Sequence, residues 1–277
     1  MYNSWAPSDL DGSGNIFETL HLGLKVELIA TPRESLKTCF PHEQISDVLR
    51  RNVECYDFIP VVDDKAERKQ RIIGLFDAAS YATNKSAEDR IHDNFSTLSE
   101  ELLIGADASI LDFIKDADEK PCRLVVSGAN IVGLVSLSDL QKLPVRAVLF
   151  ALITGFEITM MDAIRRMYKN ELDWMKALSP ERQNKVEFQK KKSQEADALV
   201  DTLLFTQFAD KKTLIRRKLP NTKSKQSFET TLKTIESLRD RVAHANEYAS
   251  SRAQACNVCK TLRELLQVRT EIVELKV

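Results

Sequence analysis

The stretch Gly133-Leu134-Val135-Ser136-Leu137-Ser138-Asp139 decides the predicted fold of the first half of the chain. It joins the end of an apolar, β-rich run to a serine that can begin a helix. An earlier stretch, Ile73-Gly74-Leu75-Phe76-Asp77, repeats the glycine and the apolar pair that follows it. Two such strand-to-helix stretches in one chain indicate an internal duplication.

The segments around these two stretches recur in one order: strand, helix, strand, strand and helix. The predicted repeat length is about 55 to 60 residues. In the first copy the segments are 26–29, 45–51, 58–62, 72–76 and 77–82; in the second they are 101–104, 110–115, 123–126, 131–135 and a helix from Ser136 or Ser138. The sequence therefore predicts an α+β unit made of two β-α-β-β-α copies.

After Pro144 the spacing of the apolar residues becomes helical. Helical patterns cover 145–178, 181–208, 213–219, 228–244 and 251–275. The chain is therefore expected to contain a loose arm at 1–22, a duplicated α+β domain at 23–143 and an all-α bundle at 144–277.

The composition is that of a globular protein, with 43% hydrophobic and 29% charged residues among 277. The longest apolar stretch, 145–153, contains Arg146 and is too short to span a bilayer. The five cysteines lack the spacing of a disulfide framework, and Cys256 and Cys259 form an isolated pair, so no metal site is predicted. We expect a cytoplasmic protein with no membrane partner.

Charge is divided unequally between the two halves of the sequence. Residues 1–150 hold 16 Lys+Arg and 24 Asp+Glu, a net charge of -8, whereas 151–277 hold 24 and 17, a net charge of +7. The densest basic run contains no acid and comprises Lys211, Lys212, Arg216, Arg217, Lys218, Lys223 and Lys225. Its field is not cancelled within the run, so an anionic partner is predicted there. A solvated helix face is the alternative.

The duplicated unit resembles a tandem pair of CBS domains over about residues 24 to 143. The resemblance is carried by Phe58-Ile59-Pro60-Val61-Val62-Asp63 and by the two strand-to-helix stretches quoted above. It implies a regulatory module that binds an adenine nucleotide or a related ligand. The matching ligand residues are Gly133, Ser136 and Asp139, helped by Thr31, which occupies the family's Thr-Pro start.

Physical chemistry supports a ligand at the second copy. The Ser136 hydroxyl and the amides that begin the next helix can meet a phosphate, and Asp139 can accept hydrogen bonds from ribose hydroxyls. The alternative is that these residues only cap a helix. In the first copy Asp77 replaces the serine and Ser80 replaces the aspartate. A carboxylate repels phosphate, so at most one nucleotide site is expected.

The stretch Arg239-Asp240-Arg241-Val242-Ala243-His244 resembles the motif of the HEPN superfamily, an arginine and a polar residue followed by three variable residues and a histidine. The resemblance covers about residues 145 to 277. It implies a homodimeric, metal-independent ribonuclease that needs no cofactor and leaves a 2′,3′-cyclic phosphate. Carried over, His244 is the general acid/base and Arg239 stabilises charge on the phosphate.

The spacing adds a constraint that is independent of the family. Arg239 and His244 do not share a face of an ideal helix, so the helix must end or distort between them, or a second protomer must complete the site. Asp240 and His244 are four residues apart, so Asp240 is expected to orient the imidazole. The alternative is an ordinary surface ion pair.

These observations lead to one main functional hypothesis and two alternatives. The first is an endoribonuclease regulated by an adenine nucleotide, in which the basic run binds RNA; a stress or defence effector is one setting for it. The second is a non-catalytic CBS sensor whose bundle dimerises or binds RNA. The third is a bundle that recognises another protein through the basic run.

Overall fold

The computed structural model describes residues 23–63, 71–81, 89–196, 200–219 and 224–275. Within them the chain divides into two compact units, Lys25–Asp139 and Leu140–Val277. The first combines strands and helices and the second is helical, so the predicted order of an α+β half and an all-helical half is confirmed. The predicted arm at 1–22, Lys223 and the side chain of Lys225 lie outside the described residues.

The first unit contains two sheets. Its elements are β1 (Thr31–Pro32), α1 (Ile45–Arg51), β2 (Phe58–Val62), β3 (Ile72–Asp77), α2 (Ala78–Tyr81), β4 (Ser96–Thr97), β5 (Leu103–Gly105), α3 (Ile110–Asp116), β6 (Cys122–Ser127) and β7 (Asn130–Ser136), followed by a 3-10 helix, Leu137–Gln141. The strand orders are β1-β7-β6-β5 and β2-β3-β4. The structure matches the expected repeat at α1, β2, α3 and β6 to within two residues.

The segment at 26–29 was expected to be a strand, and this prediction is wrong. Val26–Leu28 forms a 3-10 helix, because the N–H groups of Val26 and Glu27 bond to the carbonyls of Ala108 (2.9 Å) and Ala106 (3.1 Å) instead of to a neighbouring strand. In the first copy an isolated parallel bridge is made further along the chain, between Cys39 and Val61, whereas β5 and β6 pair in parallel in the second copy.

The two copies exchange short edge strands. β1 precedes the first copy but pairs with β7 of the second, with Pro32 opposite Gly133. β4 pairs with β3 of the first copy, with Thr97 opposite Gly74. At both places only a glycine fits: a Cβ on Gly133 would lie 2.6 Å from the Thr31 carbonyl oxygen, and one on Gly74 would overlap the backbone of β4.

The repeat length changes within the unit. Ser96 lies 65 residues after Thr31, whereas Gly133 lies 59 residues after Gly74. The predicted spacing of about 55 to 60 residues therefore holds only from β3 onward. The reason is the longer chain between β2 and β3 than between β6 and β7.

The second unit is a helical bundle. Its helices are α4 (Leu143–Met167), α5 (Glu171–Met175), α6 (Pro180–Glu195), α7 (Phe208–Lys218), α8 (Ser224–Ala243) and α9 (Arg252–Glu274). The pattern predicted at 145–178 is broken after Met167, and α7 begins five residues before the predicted start at 213. That earlier start has a local cause: Gln207 and Asp210 form a capping box at the first turn.

Helix α4 is the central helix of the bundle. Val148, Leu152, Phe156, Met160 and Ile164 line its buried side. Within the described residues it is also the one helix whose length and composition would allow it to cross a membrane, and 61% of its apolar window is buried in the protein. The apolar helix is thus longer than the stretch 145–153 that the sequence suggests.

Candidate functional site

The candidate ligand turn follows β7. The backbone N–H of Ser136 donates to Asp139 Oδ2 at 2.6 Å, and the Ser136 hydroxyl lies 2.8 Å from the Ser138 hydroxyl. Asp139 is buried with 5% of its surface exposed. This carboxylate therefore caps the turn, which is the structural alternative stated for it above, while the Ser136 hydroxyl stays partly accessible.

The corresponding turn of the first copy uses the same two positions with the roles reversed. The backbone N–H of Ser80 donates to Asp77 Oδ1 at 3.2 Å, and the Ser80 hydroxyl donates to the Asp77 carbonyl at 2.8 Å. In this copy the first residue of the pair supplies the carboxylate, and in the second copy the fourth residue does. Each turn keeps one half of a capping box.

Gly133 and Thr31 meet through the backbone. Thr31 lies opposite Leu134 in the β1–β7 pair, and its carbonyl is the group that would collide with a side chain at position 133. The structure therefore brings Thr31 and Gly133 together and joins Ser136 to Asp139. The close backbone approach at Gly133 is to β1.

The candidate catalytic turn ends α8. The helix stops at Ala243, immediately before His244, and the His244 N–H still donates to the Asp240 carbonyl at 3.1 Å, as in a last helical turn. No hydrogen bond or ion pair joins the side chains of Arg239 and His244 in the described residues. Ala245 has a left-handed φ of 55°, and the N–H of Asn246 bonds to the carbonyl of Arg241 at 3.0 Å. This six-residue closure is a Schellman motif in which alanine stands where glycine is usual. His244 is exposed, and its imidazole makes no hydrogen bond or ion pair within the described part of the chain.

Arg239 belongs to a network that joins three helices. Its Nε lies 3.4 Å from Oε1 of Glu157 on α4, and Oε2 of Glu157 lies 3.2 Å from Nζ of Lys211 on α7. Lys211 is buried and also donates to the Thr206 carbonyl at 2.8 Å. Burial alone would lower the pKa of Arg239, but Asp240 and Glu157 together raise it. Glu157 therefore fixes the direction of the guanidinium.

Asp240 does not play the predicted part. Its Oδ1 bonds to Nη1 of Arg239 at 3.1 Å, and its contact with His244 is through the backbone, where the His244 N–H donates to the Asp240 carbonyl at 3.1 Å. The expected side-chain pair of Asp240 and His244 is thus replaced by a pair with Arg239. The adjacent guanidinium is the stronger partner for a carboxylate than a neutral imidazole.

The basic run is less exposed and less free than its sequence suggests. Lys212 pairs with Glu236 at 2.6 Å and Arg216 with Glu229 at 3.1 Å, while Lys211 is buried against Glu157. The expectation that no acid cancels the run is therefore wrong. The acids come from α4 and α8, far along the chain. Arg217 and Lys218 remain exposed, with Lys218 Nζ lying 4.6 Å from the centre of the Tyr168 ring.

Three residues shape these sites in ways that the sequence did not predict, although Lys211 was predicted as part of the basic run. Glu157 and Lys211 position Arg239, as described above. Arg146, in the first turn of α4, contacts the end of α8 that carries His244. The sequence signal for Arg146 was a charged residue within the apolar stretch 145–153, which indicates that a polar partner is needed but not which one.

Comparison with known proteins concerns the first unit. No protein-family model matches the sequence, and no curated protein matches it either. The CBS domain of a bacterial CNNM/CorC family Mg2+ transporter in complex with ATP is 17% identical, with a TM-score of 0.37, covering 48% of this chain and 94% of that chain. CBSX2 in complex with AMP is 20% identical, with a TM-score of 0.34, covering 46% and 97%.

A third similar structure comes from Streptococcus pneumoniae. The CBS domains of a transcriptional regulator are 19% identical to this chain, with a TM-score of 0.34, covering 43% of this chain and 97% of that chain. Similarity to CBS domains therefore extends over about half of the chain.

Proposed function

We propose that this protein is a metal-independent endoribonuclease that acts as a homodimer and is regulated by an adenine nucleotide. The observation that carries the proposal is the end of α8. There an exposed imidazole without a side-chain partner in the described residues, His244, follows a helix whose last turns hold Arg239 in a fixed direction. Histidine can transfer protons near neutral pH and arginine can donate to phosphate oxygens, so these two residues carry the groups that opening a phosphodiester requires.

The chemistry assigns one role to each residue. Neutral His244 takes the proton from an RNA 2′-hydroxyl, whose oxygen attacks the adjacent phosphorus. The bond to the 5′-oxygen breaks, that oxygen takes a proton, and a 2′,3′-cyclic phosphate remains. Arg239 donates to the phosphate oxygens as charge develops, and Asp240 and Glu157 hold its guanidinium. No step requires a metal ion.

The proposed regulatory ligand is an adenine nucleotide at the turn after β7. The Ser136 hydroxyl is partly exposed there and can contact a phosphate, with Gly133 and Thr31 forming the adjacent backbone. Asp139 already accepts the Ser136 N–H through Oδ2, so a ribose would have to use its remaining acceptor capacity. The exposed Arg217 and Lys218 are the described members of the basic run best placed to meet RNA.

A second candidate function is a non-catalytic sensor whose bundle dimerises or binds RNA. One observation favours it: two carboxylates, those of Glu157 and Asp240, already surround the charge of Arg239. A guanidinium that is paired in this way has fewer donors left for a phosphate. In that case Arg239 and His244 would be interface residues.

The deciding experiment compares the parent with His244→Ala on a mixed RNA pool in the presence of EDTA. Fragment ends are read for 2′,3′-cyclic phosphate. Removing a general base lowers such a rate by roughly a hundredfold to ten-thousandfold. His92→Ala is the matched control, because His92 is also exposed but pairs with Asp93.

Three outcomes separate the candidates. Cleavage by the parent and by His92→Ala but not by His244→Ala supports the ribonuclease. Absence of cleavage by the parent, with and without AMP or ATP, supports the non-catalytic sensor. Equal cleavage by all three proteins would remove His244 from the mechanism.

A further inference from the structure

Arg146 clamps the end of the helix that carries His244. Its guanidinium donates to three carbonyl oxygens there, those of Arg241 (3.2 Å), Val242 (2.9 Å) and Asn246 (2.8 Å). The guanidinium carbon lies 4.9 Å from the centre of the Tyr248 ring. One side chain thus satisfies carbonyls on both sides of the turn that contains His244.

The hydrogen bonds from Arg146 satisfy carbonyl groups at the end of α8 and support the unusual conformation of Ala245. The last carbonyls of a helix have no partner within the helix. The turn here also places Ala245 in a left-handed conformation that alanine rarely adopts without support. Because Arg146 binds the carbonyls before and after Ala245, it restrains the direction in which the chain leaves α8, and therefore the position of the His244 ring.

The Tyr248 ring, which lies against the Arg146 guanidinium, is itself held in place by a hydrogen bond. Tyr248 is buried, and its hydroxyl donates to the Leu140 carbonyl at 2.6 Å. Burial raises the pKa of Tyr248 to about 12, so the phenol remains a donor at neutral pH. Gln141 reaches the same loop, where its amide oxygen, in the orientation that satisfies both ends of the group, accepts from the N–H groups of Ala249 (3.0 Å) and Ser250 (2.9 Å).

Leu140 and Gln141 belong to the 3-10 helix that begins directly after Ser136. The carbonyl that Tyr248 binds is therefore covalently continuous with the Ser136–Asp139 turn, one residue after Asp139. The sequence hides this connection, because Tyr248 and Leu140 are 108 residues apart.

We propose that Arg146 is a positioning residue for His244, and that the Tyr248 hydroxyl ties the His244 turn to the segment leaving the candidate ligand turn. The consequence for catalysis rests on the proposed ribonuclease function. The positioning itself does not, because it concerns the conformation of the turn.

The first test measures hydrogen exchange of the Asn246 amide and the His244 ring signals by NMR in full-length protein. Arg146→Ala removes hydrogen bonds from a charged donor, so we expect exchange at Asn246 to accelerate by roughly tenfold to a hundredfold and the His244 signals to shift. Arg165→Ala is the matched control, since Arg165 lies on the same helix and pairs with Asp162 and Asp201 instead. Restoration of the parent signals by added methylguanidinium would separate positioning from general damage to the fold.

The second test uses a double-mutant cycle to measure whether the Tyr248 hydroxyl transmits a change at the candidate ligand turn to the His244 turn. Asp139→Asn disturbs the cap at Ser136, and we expect it to change Asn246 exchange in the parent background but not in Tyr248→Phe. Tyr248→Phe keeps the ring under Arg146 and removes only the hydroxyl, so it tests the proposal even where Arg146→Ala does not fold. Equal effects of Asp139→Asn in both backgrounds would overturn the tie.

Measurements of RNA cleavage distinguish the proposed ribonuclease function from the proposed positioning role of Arg146. If the parent cleaves RNA, Arg146→Ala should lower kcat with little change in KM, because His244 is displaced while RNA binding is kept. If the parent does not cleave RNA, the ribonuclease proposal fails and the exchange data still decide the role of Arg146. Unchanged Asn246 exchange in Arg146→Ala would show that the clamp does not position the turn.

Discussion

The duplicated unit makes its important contacts twice, and the helical unit makes each of its own once. Gly74 and Gly133 each receive an edge strand, and each strand-to-helix turn is closed by one carboxylate. In the bundle, Lys211 reaches Glu157 across 54 residues, and no second copy of that contact exists in the described residues. A repeated contact leaves a pattern in the sequence, whereas a unique long-range contact does not.

The largest loss of stability is expected when a buried ion pair of the helical bundle is broken. Lys211→Met should lower the free energy of unfolding by about 3 kcal/mol, because it leaves the half-buried Glu157 with one cation fewer. The side chain of Lys211 is only 4% exposed, so water cannot replace the ammonium group. Chemical denaturation followed by circular dichroism measures the change.

Lys212→Met provides the comparison for that variant. Lys212 also pairs with a glutamate, Glu236, but nearer the surface. The Lys212 side chain is 16% exposed, so water can reach this ammonium group more easily, and its loss should destabilise the protein less than the loss of Lys211. Equal losses of unfolding free energy in the two variants would mean that the Lys211–Glu157 contact stabilises the protein no more than the less buried Lys212–Glu236 pair.

An intermediate effect is expected at the two repeated glycines. Gly133→Ala and Gly74→Ala should each destabilise the first unit by about 1–3 kcal/mol, because a methyl group would force the incoming edge strand away. The loss should be larger at Gly74, where the methyl group would meet both the Ser96 carbonyl and the Phe95 ring. Thermal unfolding measures both.

Gly23→Ala is the control for the glycine pair, since a Cβ there would meet nothing within 4 Å. It should leave the unfolding temperature nearly unchanged. If only one of Gly74→Ala and Gly133→Ala destabilised the protein, the two edge strands would not be equivalent and the structural duplication would be weaker than the strand pairing indicates.

The smallest effect is expected at the two caps. Asp139→Ala and Asp77→Ala each remove one capping acceptor, which costs about 0.5–2 kcal/mol. Asp139 is buried whereas the Asp77 bond is exposed, so we expect Asp139→Ala to lie at the upper end of that range. Thermal unfolding of the two variants, measured side by side, tests the order; the reverse order would contradict a buried cap in the second copy.

Prediction from sequence worked best where local chemistry and the repeat agreed. The strands Phe58–Val62 and Cys122–Ser127 and the helices Ile45–Arg51 and Ile110–Asp116 lie where the periodicity indicates. It failed at 26–29, where an apolar segment made backbone bonds to a loop. Strand character cannot be read from three or four apolar residues when their hydrogen-bonding partner is far along the chain.

The predictions for the candidate sites succeeded in locating the turns and failed in assigning the partners of individual side chains. The sequence located both turns, because Ser136, Asp139, Arg239 and His244 stand at recognisable spacings. It misassigned the partner of Asp240, which pairs with the adjacent Arg239. It also misassigned the exposure of Lys211, which depends on the helix that packs alongside. The spacing of charged residues in the sequence therefore does not by itself identify which of them are paired.

The class of each half, the duplication and the positions of the two turns could be predicted from local sequence. These follow from hydrophobic period, capping residues and glycine, all of which act over a few residues. Three features depend on contacts between distant residues: the exchange of edge strands, the ion pairs that Glu157 makes with both Lys211 and Arg239, and the hydrogen bonds from Arg146 to the His244 turn. Those contacts join residues tens of positions apart, and packing selects them because a buried charge must find a partner in whatever element lies beside it.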